Sequence, residues 1–171
     1  MSKLFQEYLA LQASVVLYIV CLVLLTLLVI PPAVTAQDSA EPERVDPDGI
    51  QDLIKDEEGK VLILNFWATW CAPCRAEIRD LVSIREDYSL EDVSIIGISL
   101  DFNPAAVPPF MERKGMNYPV YISSQDVMDA YNITGIPFTL IYDGHGNLAE
   151  VHHELVDYET LQEELDRLLV D

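Results

Sequence analysis

The stretch Trp70-Cys71-Ala72-Pro73-Cys74 decides the fold because of the segment that precedes it. It directly follows the apolar run Val61-Leu62-Ile63-Leu64-Asn65-Phe66-Trp67, whose length and β-forming residues predict a buried strand. Two cysteines separated by two residues, where a strand is followed by a helix, can form a reversible dithiol and disulfide. The unpaired N–H groups at the helix start favour negative charge, so the first thiol ionises readily.

A zinc site and a structural disulfide are the two other functions that this cysteine pair could serve. A zinc site usually needs four ligands, and the one further cysteine is Cys21, inside an apolar N-terminal stretch. The histidines His145, His152 and His153 lack the spacing of a zinc finger. A disulfide that closes so small a loop removes little conformational entropy from the unfolded chain, so it would stabilise the fold only slightly and a purely structural role is disfavoured. The pattern therefore favours redox chemistry, with no metal and no cofactor.

Residues 15–30 form an apolar stretch with Thr26 as its clearest polar residue. With its mixed flanks the stretch reaches about twenty residues, enough to span a bilayer. Val34-Thr35-Ala36 resembles a signal-peptide cleavage site, so the stretch is either a retained membrane anchor or a cleaved signal peptide. We favour the anchor. Lys3 before the stretch and acidic residues after it place the N-terminus in the cytoplasm by the positive-inside rule. Either route puts the remaining chain outside the cytoplasm.

The remaining chain is strongly acidic. The sequence has 10 basic and 29 acidic residues, a net charge of −19, and residues 1–36 hold only one of each sign. This excess argues against nucleic acid and anionic lipid as partners, and it favours either basic partners or, more simply, solubility in a salty medium. We expect residues 1–36 to be the anchor or signal peptide, 37–47 a polar linker and 48–171 one domain.

The hydrophobic pattern of the domain predicts alternating helices and strands. The expected helices are 47–57, 71–87, 108–114, 126–131 and one that begins near Asp157. The expected strands are 61–67, 93–100, 118–122, 138–142 and 148–153, the last two joined by a hairpin turn. From the first strand onward the order β-α-β-α-β-α-β-β-α predicts an α/β fold, a mixed central sheet with helices on both faces.

Two segments, 65–77 around the cysteine pair and Gly135-Ile136-Pro137-Phe138-Thr139, resemble the thioredoxin superfamily. More closely, residues 45–171 resemble the membrane-anchored TlpA/ResA-like thiol–disulfide oxidoreductases of bacteria. Residues 101–132 match the strand and helix that this family inserts into the thioredoxin core. The resemblance implies a thioredoxin fold behind one transmembrane helix, a catalytic domain that faces the periplasm or its equivalent, and no cofactor.

The resemblance also implies roles for the residues around the dithiol. Cys71 would be the exposed nucleophile and Cys74 the buried resolving thiol. Ala72 and Pro73 would form the active-site turn between them. Pro137 would face the dithiol as a cis-proline, and this assignment comes from the resemblance because cis bonds are only about 5–6% of X–Pro bonds.

The same resemblance assigns a base and a substrate surface. Asn65 stands where cytosolic thioredoxins carry a buried aspartate, so another base must take the proton of the resolving thiol. Glu77, one helical turn beyond that thiol, is the candidate, and an exposed helix glutamate without chemistry is the alternative. Main-chain groups of Ile136 would pair with an extended substrate segment. Trp70 would wall the site, and Trp67 would either wall it or pack in the core.

The implied reaction is reduction of disulfides in exported proteins, such as apocytochrome c or a copper-site assembly factor. A membrane thiol-transfer reductase would then restore the dithiol. Two alternatives stay open: an oxidant that donates disulfides, and a binding or chaperone module without redox turnover. The chain departs from many relatives at Arg79, where they have proline, and at the paired Pro108-Pro109.

Overall fold

Six strands form one mixed sheet in the spatial order β1-β4-β3-β2-β5-β6. The computed structural model describes Tyr18 and residues 41–170. The strands are β1 (Arg44–Val45), β2 (Val61–Trp67), β3 (Val93–Ser99), β4 (Val120–Ser123), β5 (Phe138–Tyr142) and β6 (Leu148–His152). The first four strands in this spatial order are parallel, whereas β5 runs antiparallel to β2 and β6 antiparallel to β5. The predicted mixed sheet is confirmed.

Helices cover both faces of the sheet, as the sequence predicts. They are α1 (Pro47–Asp56), α2 (Ala72–Asp87), α3 (Val107–Lys114), α4 (Val127–Ala130) and α5 (Tyr158–Leu168). One apolar cluster joins the inner sides of α2, α3 and α5 to one face of the sheet. A second cluster joins α1 and α4 to the other face. Every residue of β2 and β3 is buried, because both faces of these central strands are covered.

The strand β1 lies inside the segment 37–47, for which we expected only a linker. This strand pairs with β4 in parallel: the N–H of Ile122 donates to the carbonyl of Glu43, and the N–H of Ser124 donates to the carbonyl of Val45, both at 2.8 Å. Since the partner strand lies about eighty residues away in the chain, nothing in the local sequence signals this pairing. The sheet therefore reaches back to residue 44.

Several other boundaries differ from the prediction by one or two residues. The helix α3 begins at Val107, so Pro108 and Pro109 lie in its first turn, where backbone N–H groups have no intrahelical partner. The proline pair therefore costs this helix no hydrogen bond. The strand β4 covers 120–123 instead of 118–122, and Tyr118 before it is buried against the core.

The membrane prediction falls outside this domain. Apart from Tyr18, residues 15–30 are not among those that the structure describes. Within the described residues there is no helix of the length and apolarity that a bilayer crossing requires. The anchor and the boundary at residue 36 therefore stay predictions.

Candidate active site

A disulfide joins Cys71 and Cys74 at the N-terminus of α2, with their Cα atoms 5.3 Å apart. Cys71 is the N-cap residue of this helix, and the N–H of Cys74 donates to its Sγ at 3.1 Å. Ala72 and Pro73 form the first helical positions and are exposed. The pair therefore lies where a buried strand is followed by a helix, as the spacing predicts.

Cys71 is less exposed than we expected of a nucleophile. Only 4% of the residue is accessible in the disulfide form, and Cys74 is completely buried. The reason is that the side chain of Cys71 turns toward the helix start and its Sγ lies 3.7 Å from the carbonyl oxygen of Ile136. Of the two residues, Cys71 is still the one with surface open to an incoming molecule.

The loop opposite the disulfide contains a cis peptide bond between Ile136 and Pro137. Pro137 is buried and Ile136 is half-buried, so the carbonyl of Ile136 borders the dithiol. Trp70 is 58% exposed next to the same dithiol, which agrees with a wall of the site. Trp67 is fully buried and stacks on Phe110 with ring centroids 5.2 Å apart, so it packs in the core.

Glu77 is completely buried one turn beyond Cys74, which excludes the exposed alternative. Thr139 Oγ1 donates to one carboxylate oxygen at 2.9 Å, and Asn65 Nδ2 donates to the other at 3.2 Å. Burial raises the pKa of Glu77 to about 7, against the opposing effect of these donors and of a backbone bond at Val156. A carboxyl group with this pKa can take up or release a proton near neutral pH.

Thr139 is a member of this cluster that the sequence did not connect to Glu77. Asn65 on β2 lies opposite Thr139 on β5 in the antiparallel register, and Asn65 Nδ2 also donates to Thr139 Oγ1 at 2.8 Å. The two side chains thus hold the carboxyl group from the sheet below it. Only the strand register could have revealed this contact, because the residues are far apart in the chain.

Asp101 is a second polar residue near the dithiol that the sequence did not single out. Its buried carboxylate accepts hydrogen bonds from the N–H of Thr69 at 2.9 Å, from Thr69 Oγ1 at 2.6 Å and from Ser99 Oγ at 2.8 Å. These bonds fix the residue two positions before Cys71. The sequence signal for Asp101 is its position just after β3. The carboxyl ends of parallel strands lie at one edge of the sheet, so the ends of β3 and of β2, which leads to the dithiol, lie side by side.

A groove of about 690 Å³ opens beside the dithiol along this edge. Trp70 and Ile136 belong to its lining, as do Asp101 and Phe102 from the loop after β3. The site therefore combines a fully buried sulfur, a more accessible sulfur, a carboxyl group whose pKa is about 7 and an adjoining groove. This arrangement can exchange a disulfide with a protein segment bound in the groove.

Comparisons with known proteins agree with this chemistry. The AhpC/TSA family matches residues 35–151. The thiol-disulfide oxidoreductase ResA of Geobacillus kaustophilus is 30% identical over 124 residues, which are 72% of this chain and 71% of that protein. ResA of Bacillus subtilis is 31% identical over 107 residues, and the matched part is 60% of its length. The solved structure of a thiol:disulfide interchange protein from Chlorobium tepidum has 30% identity, a TM-score of 0.63, and coverage of 67% of this chain and 83% of that one.

Proposed function

This chain belongs to the AhpC/TSA family and is a thiol–disulfide oxidoreductase, and we propose that it reduces disulfides of exported proteins through Cys71 and Cys74. The observation that carries the proposal is the disulfide at the start of α2, with the sulfur of Cys74 fully buried and that of Cys71 close to Ile136 in the lining of a groove. The proposed substrates are apocytochrome c, whose haem-attachment cysteines must be reduced, or a copper-site assembly factor.

The proposed reaction begins with the reduced dithiol. The Cys71 thiolate attacks one sulfur of the substrate disulfide, a mixed disulfide forms, and the other substrate sulfur leaves as a thiolate. Glu77 takes the proton of Cys74, whose thiolate attacks Cys71 Sγ and releases the second substrate thiol. Two electrons have then moved from protein to substrate, and the protein holds the observed disulfide. A membrane thiol-transfer reductase would return two electrons to it.

The experiment for this function uses the fully reduced chain and a peptide disulfide with the spacing Cys-x-x-Cys-His, the haem-attachment pattern. We expect one equivalent of peptide dithiol for each equivalent of protein, and none with Cys71→Ser. Thiol counting by mass spectrometry measures both products. A reduced chain that keeps both thiols and leaves the peptide oxidised would contradict the proposal.

The proposed location is the bacterial cytoplasmic membrane, with the catalytic domain on the outer side. The support is the apolar stretch 15–30, which is long enough with its flanks to span a bilayer, and the positive charge that precedes it. We expect the full chain to stay with the membrane pellet after alkaline carbonate extraction. Release into the supernatant at full length would contradict a spanning anchor, and release in a shortened form would indicate cleavage near Ala36.

A further inference from the structure

The groove beside the dithiol follows one edge of the sheet, formed by the carboxyl ends of β2, β3 and β4 and by the short strand β1. Trp70 lies just beyond β2, Phe102 lies beyond β3, Ser123 ends β4, and Arg44 lies on β1, and all four residues line the groove. Because the strand order from β2 outward is β3, β4, β1, Arg44 lies three strand spacings from β2, the strand that leads to the dithiol. At about 4.8 Å a spacing this is about 14 Å, the length of about four residues of extended peptide.

The part of the groove nearest the dithiol is apolar and open. Trp70 is 58%, Phe102 96% and Met128 41% exposed, and the three side chains share the groove lining. Large apolar side chains clustered on the surface mark an interaction site more often than a packing accident. Trp70 immediately precedes Cys71, and the carbonyl oxygen of Ile136 lies 3.7 Å from Cys71 Sγ, so the groove adjoins the dithiol. A molecule whose disulfide is attacked can therefore extend into the groove.

The far part of the groove carries one cation. Among the groove-lining residues, Arg44 is the only basic one and Asp101 the only acidic one. The carboxylate of Asp101 is already engaged by three donors from Thr69 and Ser99. Within the described residues, Arg44 makes its one ion pair with Glu41 at 3.9 Å, and both side chains are more than half exposed. Such a loose surface pair exchanges readily for a better-placed carboxylate, which a guanidinium can bind through two hydrogen bonds.

We propose that Arg44 is a specificity subsite for an acidic side chain of the substrate, about four residues from the cysteine that Cys71 attacks, with apolar residues of the same segment against Phe102 and Met128. The proposal rests on the proposed function, since it assumes that the groove holds a disulfide substrate. The preference for an acidic side chain is opposite to the effect of the net charge of −19, which by itself favours basic residues at every position of a substrate. An acidic preference at one position therefore distinguishes the subsite from the overall field.

The test uses symmetric disulfide dimers of a one-cysteine peptide, so that attack on either sulfur is equivalent. Each peptide carries Glu, Gln or Lys at one position, two to six residues before or after the cysteine, and the reduced full chain is the reductant. We expect Glu to exceed Lys in kcat/KM by about three- to fivefold at one position near the fourth, as for a surface ion pair. At the other positions Lys should equal or exceed Glu, and high salt should flatten both trends.

Arg44→Gln should abolish the acidic preference, so that the kcat/KM of the Glu peptide no longer exceeds that of the Lys peptide at any position. The matched control is Arg113→Gln, which removes the same charge from α3, outside the groove lining, and should keep the preference. The readout is a ratio between peptides, so a partial loss of folded protein does not change it. Reduction of every peptide with no position that prefers Glu, or an equal preference in Arg44→Gln, would overturn the subsite and leave the proposed function standing. Failure to reduce any peptide would overturn the proposed function together with it.

Discussion

The Cys74→Ser variant should stop halfway through the reaction and accumulate as a mixed disulfide with its substrate. Cys71 still attacks, but a serine hydroxyl is not ionised near neutral pH and does not displace the bound thiol. Turnover of excess disulfide should fall more than about 1,000-fold, because the attack within the molecule is replaced by attack of a dilute external thiol. A Cys21→Ser background leaves Cys71 as the one cysteine of this variant, and mass spectrometry of the adduct measures the trapped fraction.

Cys71→Ser is the matched control for this experiment. It leaves Cys74, which is completely buried, so neither turnover nor a trapped adduct should form. An adduct on Cys74 would mean that Cys74, and not Cys71, is the attacking thiol. Disulfide turnover that survives in both variants would mean that the pair is not the redox centre. A binding or chaperone module would show no disulfide turnover in any variant, and its binding activity would survive both substitutions.

The Glu77→Gln variant should remove a pH dependence from both stability and rate. Burial holds the pKa of this carboxyl group at about 7 in the folded chain, against an ordinary value of 4.5. Below pH 4.5 both states are protonated. From 4.5 to 7 the unfolded chain ionises first, so the free energy of unfolding falls with rising pH by about 3 kcal/mol, and above 7 the loss is constant. Urea unfolding of the oxidised protein between pH 4 and 8 measures this slope, which should flatten in the variant.

The rate follows from the same titration. Glu77 accepts the proton of Cys74 only when ionised, so release of product from the mixed disulfide should rise with pH around 7. In Glu77→Gln this rise of the rate with pH should vanish, and product release at pH 8 should slow by about 100-fold, the usual contribution of a general base. Glu86→Gln, an exposed change on the same helix, should alter neither the slope nor the rate. If Glu77→Gln released product at pH 8 as fast as the unaltered chain, Glu77 would have only a structural role.

The fold was largely predictable where local signals are strong. The strands 61–67 and 138–142 have the predicted bounds because their continuous apolar β-forming residues are bounded by turns. Asp157 caps the last helix as predicted, accepting from the N–H of Thr160 at 3.0 Å. The two-residue strand β1 was not predictable, since its stability comes from pairing with β4 and not from its own residues.

The site was predictable in its chemistry and not in its surroundings. The spacing of Cys71 and Cys74 predicts a dithiol, and their resemblance to a known family points to Glu77 and Pro137. The contacts of Glu77 with Asn65 and Thr139 depend on the register of two strands, which is a long-range property. The groove depends in the same way on the order of four strands, so no local pattern announces it.

The reduction potential of the Cys71–Cys74 couple decides whether this protein reduces disulfides or donates them. It is measured on the full chain with Cys21→Ser, by equilibration with glutathione buffers and counting of protein thiols. We expect a value near the roughly −270 mV of thioredoxin, as a dedicated reductant of exported proteins requires. A value near the roughly −120 mV of strong periplasmic oxidants would contradict it and make this protein a donor of disulfides.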